Sequence, residues 1–157
     1  MKEFLGYGRA DGSVGTRNYV GVLSAVVCVN EVVENIVRQV QGTTRFTHHQ
    51  GCCQTPLDIH IVNDTLINLG KNPNLHSVLL VSLGCEKMQP ERLLNIPAEN
   101  KRIPVEDQDI IQLQDERHNG FQSMVDHILA VAEHHLEKLN QRQREEVSAS
   151  HLVVGMQ

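Results

Sequence analysis

The residues of this sequence best suited to chemistry are four cysteines and two adjacent histidines: Cys28, Cys52, Cys53, Cys85, His48 and His49. Thiolates bind soft or borderline metal ions and act as nucleophiles, and imidazoles bind metals or move protons. The stretch HHQGCCQTP, residues 48–56, holds four of the six. The chain has no Cys-x-x-Cys pair of the zinc-ribbon kind, so a metal site would have to draw its ligands from separate parts of the chain.

Three predicted strands position these cysteines. They are NYVGVLSAVV, TRFTHH and HSVLLVSLG, which begin at residues 18, 44 and 76. Cys28, Cys52 and Cys85 follow the three runs in that order. The first and third segments are short apolar runs of the kind typical of buried strands, and TRFTHH is predicted as a second, short strand. Each of the three cysteines is therefore expected in the loop after a strand.

Helical periodicity separates the strands. In residues 30–40 the apolar residues fall on one helical face, with Asn30 as the predicted N-cap. The next helix is predicted to start with Thr55 as N-cap, Pro56 at its first position and Asp58 three residues after the cap. Its predicted buried face consists of Leu57, Ile61, Val62, Thr65, Leu66 and Leu69.

The last third of the chain has a weaker pattern. A short helix is predicted to open at Pro90, and residues 101–116 are expected to hold one or two short strands. A long amphipathic helix is predicted from Phe121 to Leu139. The apolar end of the chain, residues 150–157, is predicted to form a final strand.

This alternation predicts an α/β fold with an open, mostly parallel sheet and helices on both faces, a flavodoxin- or Rossmann-like three-layer domain. The domain is expected over residues 18–157, after a glycine-rich N-terminal arm at 1–17 without regular structure. In such sheets ligands bind outside the carboxyl ends of the strands, where helix N-termini also favour thiolates. Cys28, Cys52 and Cys85 are therefore expected to form one site, for a single iron ion or an iron–sulfur cluster.

Each of these residues also has a simpler interpretation. A free cysteine is often a small buried hydrophobic residue, which is the alternative for all three thiols. His48 and His49 are candidates for a nitrogen ligand or a general base. A solvated or hydrogen-bonded loop residue is the alternative for each histidine.

Composition limits the classes of function. The 157 residues suit about one domain, with 40% hydrophobic and 21% charged residues. A net charge of -5 and the lack of a basic stripe argue against a nucleic-acid partner. No apolar run is long enough for a membrane span, and the amino end lacks a signal-peptide pattern, so a cytoplasmic location is expected. The ligand is expected to be a small molecule.

The N-terminal arm carries a second group of candidate residues. Its charged and polar set is Arg9, Asp11, Arg17 and Asn18, set among glycines. Glycines allow a ligand to approach the backbone, and arginine binds carboxylates through two parallel hydrogen bonds. The alternative is a surface arm with solvated charges.

Several segments together resemble one enzyme family. GYGRADGSVGTRN at residues 6–18, Cys28, HHQGC at 48–52, GKNPN at 70–74 and VSLGCE at 81–86 occur in the order and spacing of altronate/galactarate dehydratases. That family also includes the large subunits of sulfolactate sulfo-lyases. The resemblance covers nearly the whole chain. It implies an iron-dependent hydro-lyase that removes water from a sugar acid and gives a 2-keto-3-deoxy acid.

The resemblance also implies roles for individual residues. Cys28, Cys52 and Cys85 would hold the iron, with His48 nearby. Arg9 and Arg17 would bind the substrate carboxylate. Glu86 or a histidine would move protons.

Three features depart from the family pattern. The family has glycine where this chain has Cys53, which makes Cys53 a spare thiol. Arg117 and His118 replace two glycines of a later family segment. The family also continues beyond residue 157, and fused members carry a small β-rich domain before the arm. We therefore expect a fragment of a longer dehydratase, with the β-rich part as a possible partner domain or subunit, and a possible homo-oligomer.

Two alternative functions stay open from the sequence. One is a sulfo-lyase-type subunit that eliminates sulfite from a sulfonated hydroxy acid such as sulfolactate. The other is a non-catalytic, flavodoxin-like binding module whose cysteines are buried.

Overall fold

The computed structural model describes residues 2–87 and 109–156, and two sheets organise this part of the chain. Its strands and helices, in chain order, are β1 Glu3–Gly8, β2 Val14–Gly15, β3 Tyr19–Ser24, α1 Asn30–Gln39, β4 Thr43–Phe46, α2 Pro56–Gly70, β5 Leu75–Ser82, β6 Ile110–Gln112, α3 Phe121–Asn140 and β7 Glu145–Ser148. Short 3-10 helices are described at Val27–Val29 and Ala149–His151.

The larger sheet has four parallel strands in the order β4-β3-β5-β6. Val20 of β3 pairs with Thr43 on one side, and Gly21 pairs with Val78 of β5 on the other. Parallel sheets need cover on both faces, which the three helices provide here. The predicted fold class, an open parallel sheet with helices on both faces, is confirmed.

Each central strand serves two cores, because successive residues of a strand point to opposite faces. Val22 of β3 and Leu79 of β5 pack into the cluster beneath α1 and α3. Their neighbours Leu23 and Leu80 pack on the other face against Leu66 of α2. Three layers result, and the buried sheet holds the loops at its two edges in fixed positions.

The predicted start of α2 is confirmed, but its predicted burial is wrong in part. The Thr55 hydroxyl accepts a hydrogen bond from the Asp58 N–H and caps the helix. Three members of the predicted buried face are exposed, namely Leu57 at 71%, Ile61 at 59%, and Thr65. Ile61 and Thr65 line a cleft of about 280 Å³ between α2 and Phe46 of β4, which accounts for their exposure, whereas Leu57 lies outside this cleft.

The N-terminal arm, expected to lack regular structure, forms two strands. β1 pairs antiparallel with β2, with Tyr7 opposite Gly15, and with β7, with Phe4 opposite Val147. The prediction was wrong because the strand that completes this sheet comes from the other end of the chain. Nothing in the local pattern of the arm indicates that pairing.

Two further predictions fail at the ends of elements. Asn30 begins α1 and does not cap it; the N-cap is Val29, and the Asn30 amide donates to the His48 carbonyl at 2.9 Å. The last strand is β7 and lies before the predicted residues 150–157, where Val153 is 96% exposed. The predicted helix at Pro90 lies outside the described residues, whereas β6 confirms a strand within 101–116.

The long C-terminal helix is confirmed as α3. It buries Val125, Ile128, Ala132 and Leu139 against the sheet, although Phe121 at its start is 60% exposed. Within the described ranges, no helix combines the length and the apolar character that crossing a membrane requires.

Burial within α3 gives a stability prediction. Ile128 is fully buried, so we expect Ile128→Ala to lower the free energy of unfolding by about 2–5 kcal/mol through lost burial and a residual cavity. The exposed Phe121 on the same helix is the matched control, and Phe121→Ala should change stability by about 0.5 kcal/mol or less. Urea denaturation monitored by circular dichroism measures both. Equal losses would contradict this packing of α3.

Candidate functional site

The strand order creates a crevice at the carboxyl edge of the parallel sheet. β4 lies on one side of β3, and β6 lies on the far side of β5. In open α/β sheets, ligands bind where the connections diverge in this way, outside the carboxyl ends of the strands. Cys28, in the 3-10 helix after β3, and Cys85, in the loop after β5, lie on either side of this point.

The predicted cysteine ligands act on one another electrostatically, although no three of them are placed to hold a metal ion among the described residues. All four cysteines lie within the described residues, and all four are free and exposed. Partial desolvation, then the charge of Cys28 and a hydrogen bond to it, then the charges of Cys85 and Cys53, raise the pKa of the Cys52 thiol. The alternative interpretation of the cysteines as buried hydrophobic residues is therefore wrong.

Cys53 adopts a backbone conformation that is typical of glycine. Its φ is 53°, in the left-handed region that favours glycine. Glycine is the residue that the family resemblance leads one to expect at this position. The backbone conformation at position 53 is therefore sufficient to explain why the family has glycine there, and the Cys53 side chain needs no role.

Close backbone contacts hold the loop of residues 47–55 against the end of β3. Gly51 has a φ of 112°, and a Cβ at this position would lie 2.7 Å from the Cα of Val26. The Val27 N–H donates to the Gln50 carbonyl at 2.9 Å, and the Lys87 N–H donates to the Gly51 carbonyl at 3.3 Å. The loop that carries Cys52 is thus joined to the loops that carry Cys28 and Cys85.

His48 holds this loop in place through both ring nitrogens. Nε2 lies 2.9 Å from the Ser24 carbonyl, and Nδ1 accepts from the Gln50 N–H at 3.1 Å. A carbonyl requires a donor and an N–H requires an acceptor, so the ring carries its proton on Nε2. To bind a metal or a substrate proton, His48 would first have to lose one of these bonds. His49, in contrast, is exposed.

Glu86 is the acidic residue next to the crevice. Its Oε2 accepts from the Gly84 N–H at 2.6 Å, whereas its Oε1 is buried and finds no hydrogen-bond partner among the described residues. The loop turns at Gly84, where φ is 121° and a Cβ would lie 2.3 Å from Nε2 of Gln112. The carboxylate is therefore held at one oxygen, and its other oxygen is buried without a hydrogen-bond partner among the described residues.

The cysteines do not form a complete set of metal ligands as they stand. Over residues 2–87 and 109–156, no group of three or more histidine, cysteine, aspartate or glutamate side chains is already placed to hold a metal ion. The donor type suits iron, since the neighbouring groups are thiols from separate loops. The iron site at Cys28, Cys52 and Cys85 stays a prediction.

The predicted substrate-binding residues lie at the opposite edge. The arm leads into the start of β3, and Cys28 follows the end of that strand, so the whole length of β3 separates the two groups. Arg9 Nε donates to the Pro73 carbonyl at 2.8 Å, and Asn18 Nδ2 donates to the Leu139 carbonyl at 3.4 Å. The structure does not bring these residues to the cysteines within one chain.

Asn74 fastens the arm to the parallel sheet, a role that the sequence reasoning missed. Its Oδ1 accepts from the Thr16 N–H at 2.8 Å and from the Arg17 N–H at 2.9 Å. Asp11 is used locally, because its Oδ1 accepts from the Ser13 N–H at 3.0 Å. The turn-forming sequence NPN was the signal that could have indicated an ordered contact here.

The loop after β6 holds a further group that sequence reasoning did not assign. Hydrogen bonds from the side chain and backbone of Arg117 lower the pKa of Asp115 to about 2. The ring centroids of His118 and His127 lie 5.3 Å apart, which joins this loop to α3. The ion pair and the ring contact give the loop a defined conformation.

Comparison with known proteins decides the family. Residues 6–140 match the family described as D-galactarate dehydratase/altronate hydrolase, second domain. The chain belongs to this family. The resemblance inferred from the sequence motifs is therefore confirmed.

Named relatives of this family member include enzymes with different substrates. Galactarate dehydratase (L-threo-forming) of Escherichia coli K12 is 47% identical over 98% of this chain and 32% of its own length. Altronate dehydratase of the same organism is 36% identical over 56% of this chain and 20% of its own length. The β subunit of (2R)-sulfolactate sulfo-lyase of Chromohalobacter salexigens is 35% identical over 52% of this chain and 21% of its own length. The chain thus spans about a third or less of these relatives.

The contact between two thiols gives a pH prediction. Because the charge of Cys28 and the hydrogen bond to it help to raise the pKa of Cys52, Cys28→Ala should lower that pKa and shift the alkylation profile of Cys52 to lower pH. Mass spectrometry of the Cys52 peptide after timed iodoacetamide pulses measures the profile. Cys28→Ser is the matched variant. Its hydroxyl group can replace the thiol in the hydrogen bond but carries no charge, so the shift of the Cys52 alkylation profile should be smaller than in Cys28→Ala. An unchanged profile in Cys28→Ala would contradict the contact.

Proposed function

We propose that this chain is the substrate- and metal-binding domain of an iron-dependent sugar-acid dehydratase of the altronate/galactarate type. The reaction is the elimination of water from an aldonate or aldarate to give a 2-keto-3-deoxy acid. The main support is the gathering of Cys28, Cys52 and Cys85 at the carboxyl edge of the sheet in a member of this family.

The proposed iron site rests on the chemistry of the donors. Thiols from three loops suit iron with an open coordination position, and the loops are joined by backbone hydrogen bonds. Bound iron would act as a Lewis acid that stabilises negative charge on the substrate and assists the departure of a hydroxyl group. Cys53 is left out of the proposed set, because its place in the loop is explained by a backbone turn.

Proton transfer is proposed for the groups next to the crevice. The proton beside a carboxylate is weakly acidic, so its removal needs a well-placed base. Glu86 meets this need, since the Gly84 N–H fixes one oxygen and the other has no partner among the described residues. The exposed His49 is the second candidate for the proton-transfer role. For His48 we propose a positioning role, because the backbone engages both ring nitrogens.

The proposed role of the arm in substrate binding requires a second copy of the chain. Arg9, Asp11, Arg17 and Asn18 lie at the amino edge of the sheet, beyond reach of a substrate held at the cysteines of the same chain. Such a role is compatible only with the predicted homo-oligomer. The cytoplasmic location and the small β-rich partner also stay predictions from the sequence.

A sulfo-lyase is the second candidate function. It is favoured by the similarity to a sulfo-lyase β subunit, which extends over about half of this chain at 35% identity. The same thiols and the same carboxylate would serve an elimination in which sulfite leaves in place of water. The leaving group, and not the position of the site, separates the two proposals.

Iron retention tests the proposed site. After anaerobic reconstitution with ferrous iron and sulfide, we expect the parent chain to retain iron and the Cys28→Ala, Cys52→Ala, Cys85→Ala triple variant to lose it. Cys53→Gly is the matched control, because it removes a neighbouring thiol and suits the local φ; it should retain iron. Metal analysis after desalting measures the content. Equal iron in the parent and the triple variant would overturn the assignment.

Product analysis tests the reaction. A full-length protein that contains this chain is expected, once loaded with iron, to release a 2-keto-3-deoxy acid from galactarate or altronate and no sulfite from sulfolactate. Glu86→Gln should lower kcat by about 100-fold or more, because it removes the proposed base and keeps a similar shape. Sulfite release with no dehydration would establish the sulfo-lyase alternative. Full activity of Glu86→Gln would remove Glu86 from the mechanism.

A further inference from the structure

Two glutamine side chains at the carboxyl edge of the parallel sheet have no role in the reaction proposed above. Gln112 is the last residue of β6, and Gln114 follows two residues later. Ile111 and Leu113, on either side of Gln112, are buried in the core beneath α1 and α3. Because successive residues of an extended segment point to opposite sides, the two glutamines lie together on the other side, where both are exposed.

Backbone hydrogen bonds hold this segment against the loop that carries Cys85. The Leu113 N–H donates to the Ser82 carbonyl at 2.9 Å, and the Gln114 N–H donates to the Leu83 carbonyl at 3.0 Å. The pairing of β6 with β5 therefore continues beyond the ends of both strands. The backbone of the glutamine segment is thus fixed beside the residues that lead into Cys85.

Both amide groups lie against Gly84, the residue directly before Cys85. A Cβ at position 84 would lie 2.3 Å from Nε2 of Gln112 and 3.1 Å from Oε1 of Gln114. Glycine therefore leaves the space in which the two amide groups lie. The Gly84 N–H also donates to Glu86 at 2.6 Å. The two amides and the proposed base are thus gathered around one residue of the loop.

Amide groups suit the recognition of hydroxyl groups. The side chain of glutamine offers two N–H donors and a carbonyl acceptor, and a hydroxyl group is likewise both a donor and an acceptor. Because the amides carry no charge, this recognition does not depend on the balance of charges nearby. A site that forms hydrogen bonds to a substrate hydroxyl rejects an analogue without it, since the analogue leaves polar groups of the site without partners.

We propose that Gln112 and Gln114 bind hydroxyl groups of the sugar acid beside the thiols and thereby select a polyhydroxylated substrate. This inference rests on the proposed function and deepens it, because it assigns residues to the part of the substrate that does not react. Galactarate and altronate carry several hydroxyl groups besides the one that leaves, whereas sulfolactate carries a single hydroxyl group. Two neighbouring amides therefore fit the dehydratase better than the sulfo-lyase.

The test compares galactarate with adipate, a dicarboxylate of the same length without hydroxyl groups. Calorimetry measures both dissociation constants on the iron-free full-length protein that contains this chain, in which no turnover disturbs the equilibrium. In the iron-loaded protein, KM for galactarate is compared with the inhibition constant of adipate. These two measurements give the preference for the hydroxylated acid with and without the metal.

The decisive variant carries Gln112→Met and Gln114→Met. Methionine keeps the length of the side chain and forms no comparable hydrogen bonds, so galactarate should bind about tenfold or more weakly and adipate as tightly as before. KM for galactarate should rise by a similar factor, with kcat changed less than about threefold, because the lost contacts are with groups that do not react.

Gln141→Met is the matched control. Gln141 is an exposed glutamine at the end of α3, near the start of β3 and thus at the opposite edge of the sheet. This variant should bind both acids as the parent does. Thermal unfolding followed by circular dichroism should give the same midpoint for the parent and both variants, since all three glutamines are exposed.

The outcomes separate this inference from the proposed reaction. A preference of the parent for galactarate over adipate that the double variant loses supports it. An equal preference in the parent and the double variant overturns it, and so does a parent without a preference in either form. If the parent shows the preference and the double variant loses it, but the iron-loaded parent releases no 2-keto-3-deoxy acid, the proposed dehydration fails and the assignment of the glutamines stands.

Discussion

The positions of both groups of candidate residues, the cysteines and the arm residues, depend on the parallel pairing of β3 with its two neighbours. The register runs from Tyr19 opposite Leu75 to Ser24 opposite Val81, and it is fixed because both faces of these strands are buried. A slip of one residue would turn every buried side chain to the wrong layer. With the register fixed, all carboxyl ends lie at one edge and all amino ends at the other. The loops at each edge are then held in fixed positions even though their thiols and cations are exposed.

This arrangement keeps two kinds of chemistry apart. A strand of six residues spans about 20 Å, so Cys28 after β3 and Arg9 before it cannot touch one small ligand. The carboxyl edge collects thiols, and the amino edge collects guanidinium groups and an imidazole. Arg9 and Cys28 are near each other in the sequence, but β3 runs between them and places them at opposite edges of the sheet.

The parts of the structure that were predictable from sequence are those set by neighbouring residues. Thr55 and Asp58 form a helix cap because both lie within one turn, and the strands before Cys28 and Cys85 are visible as apolar runs. The role of His48 was not predictable, since it requires the Ser24 carbonyl at the end of β3, a strand distant in sequence. Likewise β1 needs β7 from the far end of the chain. The position of the arm could have been inferred, because a segment that precedes a parallel strand must enter at its amino edge.

The two edges share one physical feature, which is that groups of like kind are held close together by backbone contacts. Desolvation and then neighbouring thiols raise the pKa of Cys52, and desolvation and then neighbouring cations lower the pKa of His76. In each case the neighbouring groups disfavour the charged form of the residue. The parallel sheet and its packed loops prevent the groups from moving apart to relieve the repulsion. A cation among the thiols would remove that repulsion, and the rigidity of the fold is therefore a physical argument for the proposed metal site at the carboxyl edge.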